Sequence, residues 1–250
     1  MNSTDSVFSN TQIVSAYQQG HIVINPYNPD NVSEASYDVT LGEYFYTVEK
    51  LETRTVYNPF DADEVRRYFD GPHKAITHQR WIEKHNLKPF NNIPLDHPII
   101  VLKPQERILA HTHEFIGIKP PGASEMRSRS SWGRNGLAVC FDAGWIDPGY
   151  INRVTMEIYN LNQHESIVLP VGERIAQIVF HHTGPVEGNY GLGRGGISGK
   201  YQSGTELEDI VQRWHPEQML PKSWLDKRQL PQEVVVSPKK STTQPWNKAD

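Results

Sequence analysis

Cysteine is almost missing from this chain of 250 residues, where Cys140 stands alone. One thiol excludes a disulfide framework and any cysteine-based zinc set, and it suits a reducing compartment. Basic excess is missing as well. Lysine and arginine total 25 against 29 acidic residues, a formal charge of −4 with a pI near 6.3. No global positive field therefore exists to hold a long nucleic acid by its phosphates, and any phosphate site must be local. No apolar run approaches the ~20 residues needed to span a bilayer. The opening MNSTDSVFSN has neither a basic n-region nor an apolar h-region. These absences predict a soluble cytoplasmic protein that engages neither membranes nor long nucleic acid. Internal repeats are absent too.

What is present favours β structure. Glycine and proline number 18 each and aromatic residues make up 10%, while β-branched residues dominate the apolar runs, the balance of short strands joined by turns. Ser9-Asn10-Thr11-Gln12 has the S-x-x-Q form of a capping box, Ile13, Val14 and Tyr17 follow at helical spacing, and Gly20 stands where a C′ glycine ends a helix. Strands are predicted at Ile22 to Ile24, Tyr37 to Leu41, Ile99 to Leu102, Arg107 to His111, Glu114 to Ile118, Gly136 to Cys140, Arg153 to Asn160, Ser166 to Leu169 and Arg174 to Phe180. That spacing belongs to an all-β sandwich or barrel. Residues 52–95 interrupt it with charges and four prolines, and they read as an insertion or lid with a helix around Ala75 to His85. Residues 1–204 form the predicted domain. Residues 205–250 read as a C-terminal extension, dispensable for the chemistry and partly disordered at its end, with a helix at Glu206 to Trp214. Its Trp214, Trp224 and Trp246 argue that parts of it dock on the body.

Two segments carry candidate chemistry. Arg127-Ser128-Arg129-Ser130-Ser131-Trp132-Gly133-Arg134 packs three guanidinium groups and three hydroxyls into eight residues. Such forks and hydroxyls suit a polyphosphate, although a solvated charged loop explains them equally well. Gly144 to Tyr150 is a turn with one acid among aromatics, and the strand after it puts Val154, Met156 and Ile158 on one face and Thr155, Glu157 and Tyr159 on the other. Glu157 is then either a surface residue or a partly buried group beside a site, and the rarity of buried glutamate favours the first when the strand is taken alone.

Other signals fail. His215-Pro216-Glu217 fits half of a zinc deaminase signature, but its P-C-x-x-C half cannot exist with one cysteine upstream. Gly199-Lys200 is followed by Tyr201 instead of Ser or Thr, which removes a P-loop. Arg129 replaces the glycine that a nucleophile elbow at Ser131 would need. His111 and His113 would share a strand face, yet with no third ligand they read as ordinary surface histidines.

Taken in order, Arg129 to Leu137 (RSSWGRNGL), Ala143 to Tyr150 (AGWIDPGY), Met156 to Asn160 (MEIYN) and Gly172 to Gln177 (GERIAQ) closely resemble the dCTP deaminase branch of the dUTPase superfamily. Ile24-Asn25-Pro26, Ser36 to Gly42, Tyr190 and Gly199-Lys200-Tyr201-Gln202 extend the match over residues 10–204, apart from 52–95. The resemblance implies an all-β, distorted jelly-roll fold of the dUTPase type. It also implies a homotrimer with active sites at subunit interfaces, no zinc, and Mg2+ carried by the triphosphate of a small nucleotide substrate. Glu157 points to the deaminating branch, because dUTPases have a non-acidic residue at that place. Carried over residue by residue, Glu157 is the general base that takes a proton from the water attacking C4 of cytosine, with Arg134 and Ser130 holding Glu157 and the water. Arg129, Ser131, Tyr190 and Lys200 would hold phosphates, Asp147 the deoxyribose 3′-hydroxyl, Tyr150 the sugar ring, and the Ala143 backbone the base edge. Thr155 and Met156, beside Glu157 on its strand, complete the substrate-binding set. The implied reaction is dCTP to dUTP and ammonia. The alternatives are a bifunctional enzyme that continues to dUMP, and a nucleotide-binding regulatory member of the superfamily.

Four features depart from the family pattern. Asp142 stands beside the base where a neutral residue is usual, and is a candidate for selecting ring substituents. Asn152 replaces a turn glycine, a mild exchange because asparagine tolerates positive φ. Gly204 replaces a glutamine four residues after Lys200. The stretch Gly191 to Gly196 is longer than the family's loop and reads as a lid over the phosphates.

Overall fold

A computed structural model describes residues 6–48, 56–192, 199–202 and 204–226. Helix α1 (Asn10–Gln18) begins at the expected capping box: Ser9 Oγ accepts from the Gln12 N–H, the Gln12 side chain accepts from the Ser9 N–H, and Gly20 follows at φ +68°. The described strands are β1 (Ile22–Asn25), β2 (Val32–Ser33), β3 (Ser36–Thr40), β4 (Tyr44–Val48), β5 (Phe69–Lys74), β6 (Ile76–Thr77), β7 (Pro98–Leu102), β8 (Arg107–Ile118), β9 (Ala123–Ser128), β10 (Leu137–Val139), β11 (Trp145–Ile146), β12 (Ile151–Asn160), β13 (Ile167–Pro170) and β14 (Arg174–His181). Short helices α2 (Ala62–Tyr68), α3 (His78–His85), α4 (Ser130–Arg134) and α5 (Leu207–Arg213) connect or cover them.

All pairings are antiparallel. One sheet has the order β10-β12-β8-β4-β5, with β1 also on β8; a second has β11-β9-β14-β3-β2, and a small third has β13-β7-β6. The two larger sheets bury a single core between them, in which Tyr37 and Val39 of β3 and Ile178 and Phe180 of β14 join Ile108, Ala110 and Ile116 of β8 and Met156 and Ile158 of β12. The fold is all-β, with two antiparallel sheets packed face to face around the core.

The sequence pattern breaks at β8, because Arg107 to His111 and Glu114 to Ile118 belong to one strand of 12 residues instead of two. The polar residues around the expected break are satisfied internally. Thr112 Oγ1 donates to the Glu114 carbonyl and accepts from Val154 N–H (2.7 and 2.8 Å), and the Glu114 carboxylate accepts from Thr40 N–H and Oγ1 (3.0 and 2.8 Å). His111 is likewise no surface histidine. It is fully buried, Nδ1 donates to the Thr112 carbonyl (2.8 Å), Nε2 accepts from the Tyr44 N–H (3.2 Å), and burial pushes its pKa down to about 4. His113 is exposed. Gly42 approaches the His111 ring so closely that a β-carbon would overlap it.

Among residues 52–95, β5 extends the β4 edge and β6 pairs with β7, while α3 starts at its Thr77 cap. The extension docks along the outer face of the β12-β8-β4 sheet. Trp214 covers Arg153, 4.4 Å from the guanidinium carbon, and lies 4.7 Å from the His111 ring. Met219 and Leu220 are buried with Tyr46, Val65, Phe69 and Leu109, and Trp224 packs on that cluster. Trp246 and the end of the extension lie outside the described residues.

Candidate active site

Along β12 the core-facing side chains are buried, and Thr155, Glu157 and Tyr159 on the opposite face are half-buried. That face opens on a cavity of about 430 Å3, a size that takes a small ligand. Glu157 and Thr155 meet there with Ala143, Asp147, Tyr150 and Tyr190. Six of the sequence-predicted residues thus converge within one chain. Arg107, Leu109, Cys140, Phe69, Tyr201, Met219 and Pro221 complete much of the wall.

Backbone geometry builds the turn that carries Asp147 and Tyr150. Tyr150 N–H donates to the Asp147 carbonyl (3.1 Å), Gly149 N–H to the Ile118 carbonyl (2.9 Å), and Gly149 sits at φ +85° against Asn189, where a side chain would be strained and would collide. Residues 199–202 and 204 are fastened to this turn. Gln202 Oε1 accepts from Ile151 N–H (2.6 Å) and Nε2 donates to the Gly149 and Gly204 carbonyls (3.2 and 3.0 Å). Asn152 is another tether and not a turn residue: it lies in β12 without a left-handed backbone, and its Nδ2 donates to the Tyr201 carbonyl (2.9 Å) and to Gln218 Oε1 (3.3 Å). The strand hydrogen bonds of β12 leave no need for positive φ at that position.

Burial raises the pKa of Glu157 above the ordinary carboxylate range, while its own backbone N–H and the Arg107 guanidinium pull it down. The buried Cys140 thiol is pushed up to about 12, which removes it as a nucleophile, and the Tyr190 phenol is likewise pushed up to about 12 by burial. The cavity therefore holds the half-buried Glu157 carboxylate, of base-like character, together with Asp147 and the Arg107 guanidinium among otherwise uncharged wall residues.

Other expected residues stand elsewhere. Ser130, Ser131 and Arg134 are exposed on or beside α4 and do not line the cavity. Arg129 Nε lies 3.0 Å from Asp38 Oδ2 and its Nη1 donates to the Arg174 carbonyl (3.1 Å), which the Trp132 indole also reaches (2.9 Å). One chain thus presents a glutamate half and an arginine–serine half separately. Met156 points into the core. Lys200 Nζ is paired with Asp226 Oδ1 at 2.7 Å. Asp142 is exposed and borders a neighbouring concavity of about 390 Å3 that also reaches Glu157 and Tyr159. Residues 193–198 of the expected lid lie outside the described residues.

Arg107, Phe69, Met219 and Pro221 escaped the sequence reading. They share no spacing with Glu157, and only strand register and docking of the extension bring them to it. Among the described residues, no three His, Cys, Asp or Glu side chains stand together as a metal-ligand set, and no helix is long and apolar enough to cross a membrane.

A family profile described as dCTP deaminase-like matches residues 7–183. A protein of Methanosphaera stadtmanae named "dCTP deaminase, dUMP-forming" is 31% identical over 188 residues, covering 74% of this chain and 84% of its own length. One of the same name from Methanopyrus kandleri is 31% identical over 202 residues, covering 78% and 90%. The crystal structure of 2′-deoxycytidine 5′-triphosphate deaminase from Agrobacterium tumefaciens aligns with a TM-score of 0.48 and 17% identity over 71% of this chain and 48% of that one. By the profile match across most of its length and by these sequence identities, the chain belongs to the dCTP deaminase-like family.

Proposed function

We propose that the protein deaminates dCTP and carries the product on to dUMP, releasing ammonia and pyrophosphate. The observation that carries the first step is Glu157, a half-buried carboxylate with a raised pKa, facing a cavity it shares with Ala143, Asp147 and Tyr150. A base with that character can take a proton from water and return it. Water attacks C4 of cytosine and gives its proton to Glu157. Glu157 then passes that proton to N3, takes the proton of the new C4 hydroxyl and gives it to the amino nitrogen, and the tetrahedral carbon expels ammonia, leaving a uracil with a C4 carbonyl and a protonated N3 and an ionised Glu157. In the second step a water attacks the α-phosphorus, and pyrophosphate leaves. The dUMP end point revises the expectation of dUTP as product. It is supported by the names of the two relatives at 31% identity and by Asp147 beside Tyr190 in the cavity.

In this reading Asp147 accepts from the 3′-hydroxyl, Tyr150 packs on the sugar, the Ala143 backbone meets the base edge, and Thr155 borders the base. Arg129, Ser131, Tyr190 and Lys200 serve the phosphates. Magnesium is assigned to the triphosphate itself, where it neutralises charge; the protein's part is the cations and hydroxyls around it. Arg134 and Ser130 reach Glu157 only from another copy, because within one chain they stand on α4 away from the cavity. A homotrimer with shared sites is the assembly this division supports.

Incubation with dCTP and magnesium, with nucleotides separated chromatographically and ammonia and pyrophosphate quantified, tests the proposal. Equimolar ammonia, pyrophosphate and dUMP are expected. Accumulating dUTP without dUMP would return the enzyme to simple deamination, and no ammonia at all would leave a binding role.

A further inference from the structure

We infer that Arg107 is a positioning residue for Glu157, holding that carboxylate from within its own chain through the charge of its guanidinium. The inference rests on the reading of Glu157 as general base. Strands β8 and β12 pair so that Glu157 faces Leu109 and Tyr159 faces Arg107. Arg107 is therefore the diagonal neighbour of Glu157 on the same sheet face, a separation that a long side chain bridges. Both line the cavity, and Arg107 is its one cationic wall residue among those described.

The guanidinium is also fixed. Phe69, Tyr159 and Tyr68 surround it with ring centroids at 5.8, 5.9 and 6.0 Å, and Nη2 stands 3.4 Å from the Tyr68 hydroxyl. A half-buried cation needs a counter-charge, and Glu157 is the carboxylate whose charge acts on it among the described residues. The remaining groups facing Glu157 are Thr155 and Tyr159 on its own strand, Cys140 and Asp142 after β10, and the uncharged Leu109, Phe69 and Met219; Asp147, Tyr150, Tyr190 and Tyr201 line the rest of the cavity. None of these supplies a positive charge. Arg134, from another copy, would add a second cation from the open side. Arg107 is in place before any partner arrives.

The test is the pH profile of kcat and KM for dCTP in the wild-type protein, Arg107→Gln and Arg107→Lys, with Glu157→Gln measured alongside. Without its cation Glu157 protonates more readily, so in Arg107→Gln the acidic limb of kcat moves to higher pH. Turnover then drops about tenfold at mildly acidic pH and far less at alkaline pH, with KM changed less than about twofold. Arg107→Lys restores the limb. Should Arg107→Gln fail to fold, a limb in Arg107→Lys at its wild-type place upholds the inference, and a displaced limb overturns it. An unshifted profile in Arg107→Gln, with KM raised or not, overturns it; raised KM makes Arg107 a nucleotide ligand instead. Deamination surviving in Glu157→Gln brings down the general-base reading. An inactive Glu157→Gln beside an Arg107→Gln with a wild-type profile brings down this inference alone.

Discussion

Lys200 Nζ and Asp226 Oδ1 stand 2.7 Å apart, so the cation assigned to the phosphates is paired with a carboxylate of the C-terminal extension. Lys222 reinforces the link: its N–H donates to the Tyr201 hydroxyl (3.0 Å) and its Nζ to the Lys200 carbonyl (3.1 Å). The extension is thereby part of the arm that borders the cavity, and not the separable appendage its composition suggests.

Ending the chain after Gly204 should damage both stability and turnover. The truncation uncovers Tyr46, Phe69 and Leu109, removes buried Met219 and Leu220, and strips Met219 and Pro221 from the cavity wall. Losing two such buried side chains costs about 3 kcal/mol or more, a fall in Tm of about 6–12 °C for a chain of this size. Thermal melting and dCTP turnover of residues 1–204 check this; wild-type values for both contradict it.

Gly42→Ala should destabilise the fold without touching the cavity, because the added methyl overlaps the His111 ring, which is locked by hydrogen bonds at both nitrogens. Overpacking of this kind costs about 1–3 kcal/mol. Urea unfolding gives the value, and an unchanged midpoint would show that the ring can move aside.

The same histidine gives stability a pH dependence. Its folded pKa, pushed down to about 4 from the ordinary 6.5, means that the unfolded chain binds the proton more readily. The contribution of His111 is therefore complete above pH 6.5 and is lost as the pH falls toward 4, by about 3 kcal/mol in full. Asp38, Glu114 and Glu157 have raised pKa values and act in the opposite sense across the carboxylate range, so the informative quantity is the difference between wild type and His111→Gln. That difference should shrink on going from pH 7 to pH 5. A constant difference refutes the assignment.

Shared sites predict complementation. Glu157→Gln and Arg134→Ala, each inactive alone, should regain about a quarter of wild-type activity when unfolded and reassembled as an equal mixture, because a random assembly pairs an intact glutamate half with an intact arginine half that often. Activity that never returns would mean that each site is built from one chain.

The sequence was most legible where local rules decide the outcome. Ser9 and Gln12 announced α1 through their capping box, and alternation along Val154 to Tyr159 foretold which β12 side chains face the core. Local rules misled at His111, Thr112 and Glu114, where polar residues imitate a strand end but are satisfied by Thr40, Tyr44 and Val154 from distant parts of the chain. Within the cavity, Glu157, Asp147 and Tyr150 were recognisable from their motifs. Arg107 was not, because its proximity to Glu157 arises from the register between β8 and β12. The docking of Met219 was hinted at only by the neighbouring tryptophans.

The most direct measurement is ammonia released per dCTP consumed, for the wild-type protein and Glu157→Gln side by side, with dCTP binding measured in both. One ammonia per dCTP is predicted for the wild type. For Glu157→Gln, release should be slower by about a hundredfold or more with binding retained, because the amide keeps the shape of the side chain and loses the base. Near-normal ammonia release by Glu157→Gln, or consumption of dCTP by the wild type without ammonia, would contradict the account.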